Sequence, residues 1–200
     1  MQVEHENILN GLAEKGWVSI PNFLPLEVVK KLLQEQIDLI EHGKFRDAGV
    51  GRGENLQVRP EIRGDKVMWL DNENLSSLQK IYLDKIEELR LIFNREFFLG
   101  LNSFECHFSQ YPPNSFYKKH VDQFKQVSHR IISCLLYLNL DWKEEFCGQL
   151  RLYTPEDDPD KYTDIIPHAG TFVCFRSADI PHEVLPTLVE RYSVTGWLRR

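Results

Sequence analysis

Phe104-Glu105-Cys106-His107-Phe108-Ser109-Gln110-Tyr111 is the stretch at which the period of the chain changes. Upstream of it apolar residues recur at helical spacing; from Phe104 onward they recur at every second position, the period of a strand. Further strands are expected at 130–139, 148–153, 163–167, 170–175, 182–185 and 190–198. They are short and punctuated by Pro, Gly, Asn and Asp, the pattern of a β-sandwich or barrel. Ahead of them the spacing predicts three helices. Residues 3–15 run up to Gly16, a natural helix stop. Pro25 opens a second helix that Gly43 closes, with Val28, Val29, Leu32, Leu33, Ile37 and Ile40 along one apolar face. A third covers 75–98, with Asn74 or Ser76 as its cap and Gly100 as its stop. Trp17-Val18-Ser19-Ile20 and Val67-Met68-Trp69-Leu70 read as short strands. Residues 46–64, with Gly49, Gly51 and Gly53 among mixed charges, read as a flexible surface loop. The expected class is α+β: helices packed on one side of a distorted β-sandwich.

At 200 residues the chain is one ordinary domain that can bury a full core. The expected division is helical support over 1–100, including a loop segment at 46–70, and a β core over 104–198. A net charge of −6 gives no basic footprint, so nucleic acid is not an expected partner. The N-terminal stretch lacks the apolar region of a signal peptide, and no segment approaches the roughly 18 apolar residues that span a bilayer. Cys106, Cys134, Cys147 and Cys174 lie far apart with no C-x-x-C pair, as expected for reduced thiols of a cytoplasmic protein. The protein is expected to be a monomer.

His120-Val121-Asp122 sets two ligand-capable side chains at i and i+2, which share one side of a strand. His182, in Ile180-Pro181-His182-Glu183-Val184, is the candidate third ligand. Two imidazoles and one carboxylate leave open positions on an octahedral metal, the arrangement of non-heme iron(II) oxygenases. An H-x-D triplet alone is a weak signal; its company strengthens it. Arg191 lies nine residues after His182. If the strands at 182–185 and 190–198 pair as neighbours, Arg191 projects into the same cavity and grips a carboxylate there. Tyr111 and Tyr137 then supply phenolic donors for a dicarboxylic acid. Taken singly, Arg191 also reads as a surface strand arginine and each tyrosine as a core aromatic. His107 faces the same side as Tyr111; it either lines the pocket behind the ligands or is a core histidine with a local partner. His5 and His42 at helix ends read as solvated, and His129 and His168 as surface residues.

A set of runs in fixed order then carries a resemblance: Ile62-Arg63-Gly64-Asp65-Lys66-Val67-Met68-Trp69, Tyr111-Pro112-Pro113-Asn114, His120-Val121-Asp122, Tyr137-Leu138-Asn139-Leu140-Asp141-Trp142, Gly148-Gln149-Leu150-Arg151, Pro181-His182-Glu183-Val184 and Arg191-Tyr192-Ser193-Val194-Thr195-Gly196-Trp197. Over 60–198 the chain resembles the prolyl hydroxylases that modify hypoxia-inducible factor in animals, and more closely their short bacterial relatives. The resemblance implies a double-stranded β-helix, or distorted jelly roll, with N-terminal supporting helices. It implies Fe(II) on His120, Asp122 and His182, with 2-oxoglutarate and O2 as cosubstrates and ascorbate as an accessory reductant. Arg191 and Tyr137 would hold the distal carboxylate of 2-oxoglutarate, Tyr111 would reach it near the metal, and Thr195 would line its pocket. Trp197 would face the peptide, and Arg63, Asp65, Tyr117 and Arg130 would contact or order it, with 46–65 as a finger loop closing over it. The implied substrate is a proline in a protein loop, with elongation factor Tu as first candidate by analogy, and the implied role in the animal relatives is oxygen sensing. Three departures stand out: one residue fewer between Tyr111 and His120, Cys147 in place of a glycine, and His107 where the animal enzymes carry an apolar residue. The competing readings are a hydroxylase of another side chain or a free amino acid, a non-catalytic metal-containing module that binds peptides, and a cupin-type isomerase. The complete His-Asp-His-Arg set argues against the module, and the low histidine count of the set against the cupin.

Overall fold

The computed structural model describes residues 2–51, 56–71, 73–123, 129–154 and 161–200, with side chains from His5 onward. Helix α1 (Gln2–Glu14) ends at Gly16, whose φ of 75° a side chain would strain. Strand β1 (Trp17–Ile20) and helix α2 (Leu26–Glu41) follow. Pro25 stands at the N-cap of α2 rather than inside its first turn, with extended backbone. Of the two caps considered for helix α3 (Ser77–Phe97), Ser76 is the one used. Its hydroxyl accepts from Gln79 N, and the Gln79 side chain accepts from Ser76 N, a reciprocal capping box. The helix stops at Phe98, in the left-handed conformation, two residues before the expected Gly100.

Two antiparallel sheets face each other. The larger runs β1–β11–β8–β13–β6–β5–β2, where β2 is Arg46–Asp47, β5 Lys66–Trp69, β6 Ser103–Tyr111, β8 Arg130–Tyr137, β11 Phe172–Arg176 and β13 Arg191–Arg199. The smaller runs β10–β9–β12–β7, where β7 is Tyr117–His120, β9 Leu150–Tyr153, β10 Tyr162–Ile165 and β12 His182–Val184. Together they form the jelly roll, and the helices cover the outer face of the larger sheet. Strand parity sorts the side chains into two cores. Ile132, Cys134 and Leu136 of β8, with Phe172, Cys174, Val194 and Phe108, pack outward against Ile8, Leu32, Tyr82, Ile86 and Phe93 of the helices. Leu135 and Tyr137 of β8, with Val173, Phe175 and Tyr111, point inward against Leu150, Leu152 and Val184 of the smaller sheet. Because β8 is covered on both faces it reads as a continuous apolar run instead of an alternating one.

Several expectations need correction. Residues 46–64 are not wholly irregular: β2 pairs with β5, and β3 (Gly49–Val50) pairs with β4 (Gln57–Val58) as a separate ribbon, while 52–55 lie outside the described residues. β7 was not foreseen as a strand. The strands at 182–185 and 190–198 are not neighbours: β12 pairs with β7 and β9, whereas β13 pairs with β6 and β8 in the opposite sheet. The connection between them cannot fold as a hairpin because its amides bond elsewhere. Thr187 N donates to Ser115 O and Leu188 N to Phe146 O, which carries the chain across from one sheet to the other.

One close approach in the larger sheet yields a stability prediction. A Cβ on Gly196 of β13 would stand 2.5 Å from Cys106 Cβ and 2.6 Å from Glu105 O. Backbone cannot yield there cheaply, so Gly196→Ala is expected to destabilise by about 1–3 kcal/mol, as overpacking does. A urea midpoint equal to that of the parent would contradict the close packing.

Candidate metal and cosubstrate site

The two sheets enclose a cavity of about 600 Å³ that opens toward the β3–β4 ribbon. His120 closes β7 and His182 opens β12, and the two are register partners across the smaller sheet, with ring centroids 4.3 Å apart. Asp122 follows in a bend just past β7 rather than on the strand itself. Its carboxylate lies 3.5 Å from His120 Nε2 and 3.7 Å from His182 Nε2, and the three ligand atoms all fall within 4.8 Å of one another. Among the described residues no other group of three such side chains meets this way.

The backbone orients both rings. His120 Nδ1 lies 2.8 Å from Lys118 O, and His182 Nδ1 lies 3.1 Å from Ile180 O. A ring that donates from Nδ1 turns Nε2 toward Asp122 as its ligating atom. Burial, reinforced by the His120 charge and opposed by Asp122, pushes His182 down to about 4. Burial alone would raise Asp122; His182, His120 and a 2.6 Å hydrogen bond from Ser133 Oγ together hold it well below the usual carboxylate range. Ser133 shares a further hydrogen bond of 2.8 Å with Ser177, so the larger sheet braces the ligand carboxylate. Two imidazole nitrogens and one carboxylate converging on one point form a donor set that fits Fe(II).

Arg191 enters the same cavity from the opposite sheet, beside its register partner Tyr111. It is 1% exposed, and its guanidinium carbon stands 5.0 Å from the ring centres of both Tyr111 and Tyr137. Nε donates to Gly148 O at 2.8 Å, but among the described residues the buried Nη2 has no partner, and neither has the Tyr137 hydroxyl. Burial raises the Tyr137 phenol to about 12 against the pull of Arg191, yet no hydrogen bond of normal geometry joins the two. A buried cation with an idle donor and a phenol beside it match the chemistry of a carboxylate. Tyr111 and Thr195 are on the cavity wall; Tyr137 lies behind it.

The mouth is aromatic and basic. Arg130 lies over the Trp197 ring at 3.4 Å, and its Nε meets Glu105 at 2.9 Å. Arg63 lies 4.2 Å from the centre of the Tyr117 ring, which stacks on His120 at 3.6 Å. Asp65 is 2% exposed and off the wall; both its oxygens are taken by Arg63, at 2.7 and 2.5 Å, so in this structure it orders Arg63 instead of reaching the cavity. His107 lines the wall with an unpartnered Nδ1, so it is not a satisfied core histidine. His42, His129 and His168 are exposed as expected, but His5 is half-buried with an unpartnered Nε2. Cys106, Cys134 and Cys174 are buried free thiols, and Cys147 is half-buried and free. Sequence reasoning missed Ser133, Ser177 and the Gly148 carbonyl. For Ser133 the signal was there, a lone hydroxyl at an inward position of an apolar strand. No described helix is long and apolar enough to cross a membrane.

Residues 106–199 match the model of the 2OG-Fe(II) oxygenase superfamily. The crystal structure of a Pseudomonas putida prolyl-4-hydroxylase is 38% identical, covers 98% of each chain and superposes with a TM-score of 0.86. A prolyl hydroxylase from Trichoplax adhaerens, in complex with a hypoxia-inducible-factor oxygen degradation domain peptide, is 29% identical. It covers 99% of this chain and 90% of its own, also with a TM-score of 0.86. Egl nine homolog 1 of Rattus norvegicus is 28% identical over 199 residues, which is 96% of this chain and 57% of that protein. The chain spans about half the length of the Egl nine homolog 1 proteins it matches in Rattus norvegicus, Homo sapiens and Mus musculus. With the His-Asp-His cluster and the buried arginine, these matches establish that the chain belongs to the 2OG-Fe(II) oxygenase superfamily, whose members use Fe(II), 2-oxoglutarate and O2, and that its relatives are prolyl hydroxylases.

Proposed function

We propose that residues 1–200 act as one catalytic domain, a protein prolyl 4-hydroxylase dependent on Fe(II) and 2-oxoglutarate. The observation that carries this reading is the buried Arg191 guanidinium on the wall of the cavity that holds the His-Asp-His cluster, with an idle Nη2 and with the equally idle Tyr137 hydroxyl just behind that wall. A dicarboxylate spanning the two ends would satisfy both. In this reading His120, Asp122 and His182 hold Fe(II), Arg191 and Tyr137 hold the distal carboxylate, and Tyr111 and Thr195 line the space between. When bound, Fe(II) and 2-oxoglutarate supply the oxidising chemistry: one oxygen atom of O2 goes to a C–H bond of the substrate and the other to succinate, with release of CO2.

The protein's own share is orientation. The Lys118 and Ile180 carbonyls fix the two imidazoles, Ser133 fixes Asp122, and enclosure between the sheets keeps Arg191 dry, where its charge acts most strongly. The substrate enters past Trp197, Arg130, Arg63 and Tyr117, with Asp65 keeping Arg63 extended over the Tyr117 ring. The peptide-bound Trichoplax relative supports a protein substrate, and the Pseudomonas relative supports proline as its target. Elongation factor Tu is the first candidate, on the resemblance to bacterial relatives alone.

The test incubates the purified chain with Fe(II), 2-oxoglutarate and candidate proteins, measures succinate, and locates the added oxygen by mass spectrometry. The expected result is succinate release in step with a one-oxygen gain on proline. Oxygen on another residue type, or succinate released with no modified protein, would overturn the prolyl assignment.

A further inference from the structure

His107 is 3% exposed yet lines the cavity, its ring held between Trp69 at 4.8 Å and Trp197 at 5.5 Å. Parity on β6 turns it inward with Ser109 and Tyr111, and its register partner on β13 is Thr195. A buried histidine ordinarily gives its ring nitrogens hydrogen-bond partners. Here Nδ1 is fully buried without one, which leaves Nε2 as the nitrogen on the cavity side. A buried idle N–H is rarer than a buried idle acceptor, so the proton of the neutral ring belongs on Nε2. Neutrality follows from burial and from the nearby charges of Arg63 and Arg130, which push the ring down to about 3. In that tautomer the wall presents a single N–H donor, clamped between two indoles, that no acceptor among the described residues uses.

His107 pairs with Thr195, four residues along β13 from Arg191 and its partner Tyr111, so the donor stands on the cavity wall away from the Arg191 end. Resting on the cosubstrate reading above, we propose that His107 is a positioning residue that donates one hydrogen bond from Nε2 to the carboxylate at the keto-acid end of 2-oxoglutarate. It would fix the rotation of that end while Arg191 fixes the other.

The test uses the Zn(II)-loaded protein, into which 2-oxoglutarate is titrated by calorimetry without turnover. His107→Phe keeps an aromatic ring between the tryptophans and removes the donor; His107→Gln returns a donor of similar reach. His107→Phe is expected to bind 2-oxoglutarate about tenfold more weakly, the loss of one hydrogen bond to a charged group, and His107→Gln to recover most of that. In the Fe(II) enzyme the KM for the protein substrate should stay unchanged in both. Melting temperatures check folding, and His107→Leu takes the place of the Phe variant should the larger ring not fit. Unchanged 2-oxoglutarate affinity in the Phe variant, no recovery in the Gln variant, or an effect confined to the substrate KM would each overturn the proposal. Failure of the parent protein to bind 2-oxoglutarate would instead overturn the cosubstrate reading.

Discussion

Asp122→Ala is expected to abolish 2-oxoglutarate turnover while leaving the fold intact. Asp122 is the only anionic member of the cluster, and a divalent ion held by two neutral imidazoles alone lacks both charge compensation and a third anchor. Loss of a residue that merely supports a ligand lowers metal affinity by about 10–100-fold. Loss of the ligand itself should exceed that, taking the site below saturation at any practical Fe(II) concentration. The support effect can be read separately, because Ser133→Ala removes only the 2.6 Å hydrogen bond to Asp122 and should fall in the same range of about 10–100-fold. The fold survives because the partners of Asp122 are two imidazoles and a serine, none of which is left as an isolated buried charge. Ser133 also keeps its hydrogen bond to Ser177. Metal content after dialysis, succinate release and the circular dichroism spectrum check the three parts of the prediction. Full turnover in Asp122→Ala would remove it from the ligand set.

The components of this site were legible in the sequence, but the way they meet was only partly so. His120 and Asp122 are local neighbours, and a two-residue spacing already suggests a shared target. His182 is distant in sequence, and what brings it to His120 is the β7–β12 register, set by pairing that no local pattern announces. β7 itself was hidden because Tyr117-Lys118-Lys119-His120 is a polar edge strand whose side chains do not alternate. Arg191 was assigned to the right cavity through the wrong connection. The sequence reading makes the strands at 182–185 and 190–198 neighbours, but the amides of Thr187 and Leu188 bond to other loops, and the arginine arrives on the facing sheet. The error was harmless because both sheets of a jelly roll look into one interior. Ser76 was legible as a cap because the Gln three residues later completes a reciprocal pair, a signal that sits wholly within one turn. The ribbon at β3 and β4 was not, since two-residue strands among glycines carry no period.

Arg191→Met is expected to move ligand binding and stability in opposite directions. In the unliganded protein the guanidinium is 1% exposed, and its Nη2 has no partner. A buried unsatisfied donor costs about 1–3 kcal/mol. Methionine keeps most of the length, packs its thioether against Tyr111 and Tyr137, and removes that cost. The Gly148 carbonyl loses the donor now at 2.8 Å, which offsets about 1 kcal/mol of the gain. The unliganded variant should therefore melt no lower than the parent, and up to about 2–4 °C higher for each kcal/mol retained. With 2-oxoglutarate the parent gains the more. Removing one partner of a buried, hydrogen-bonded charge pair costs about 2–5 kcal/mol, or at least about 30-fold in affinity. The parent, held at 100 times its Kd, should gain about 2.7 kcal/mol from ligand linkage, whereas the variant at the same concentration gains little. Melting curves of both proteins, with and without 2-oxoglutarate, contain the whole test. A structural arginine would give the opposite pattern: the variant would melt several degrees lower without ligand, and 2-oxoglutarate would still raise both proteins equally. The first pattern would tie the burial of Arg191 to carboxylate binding, as a residue kept at the expense of stability for the sake of function.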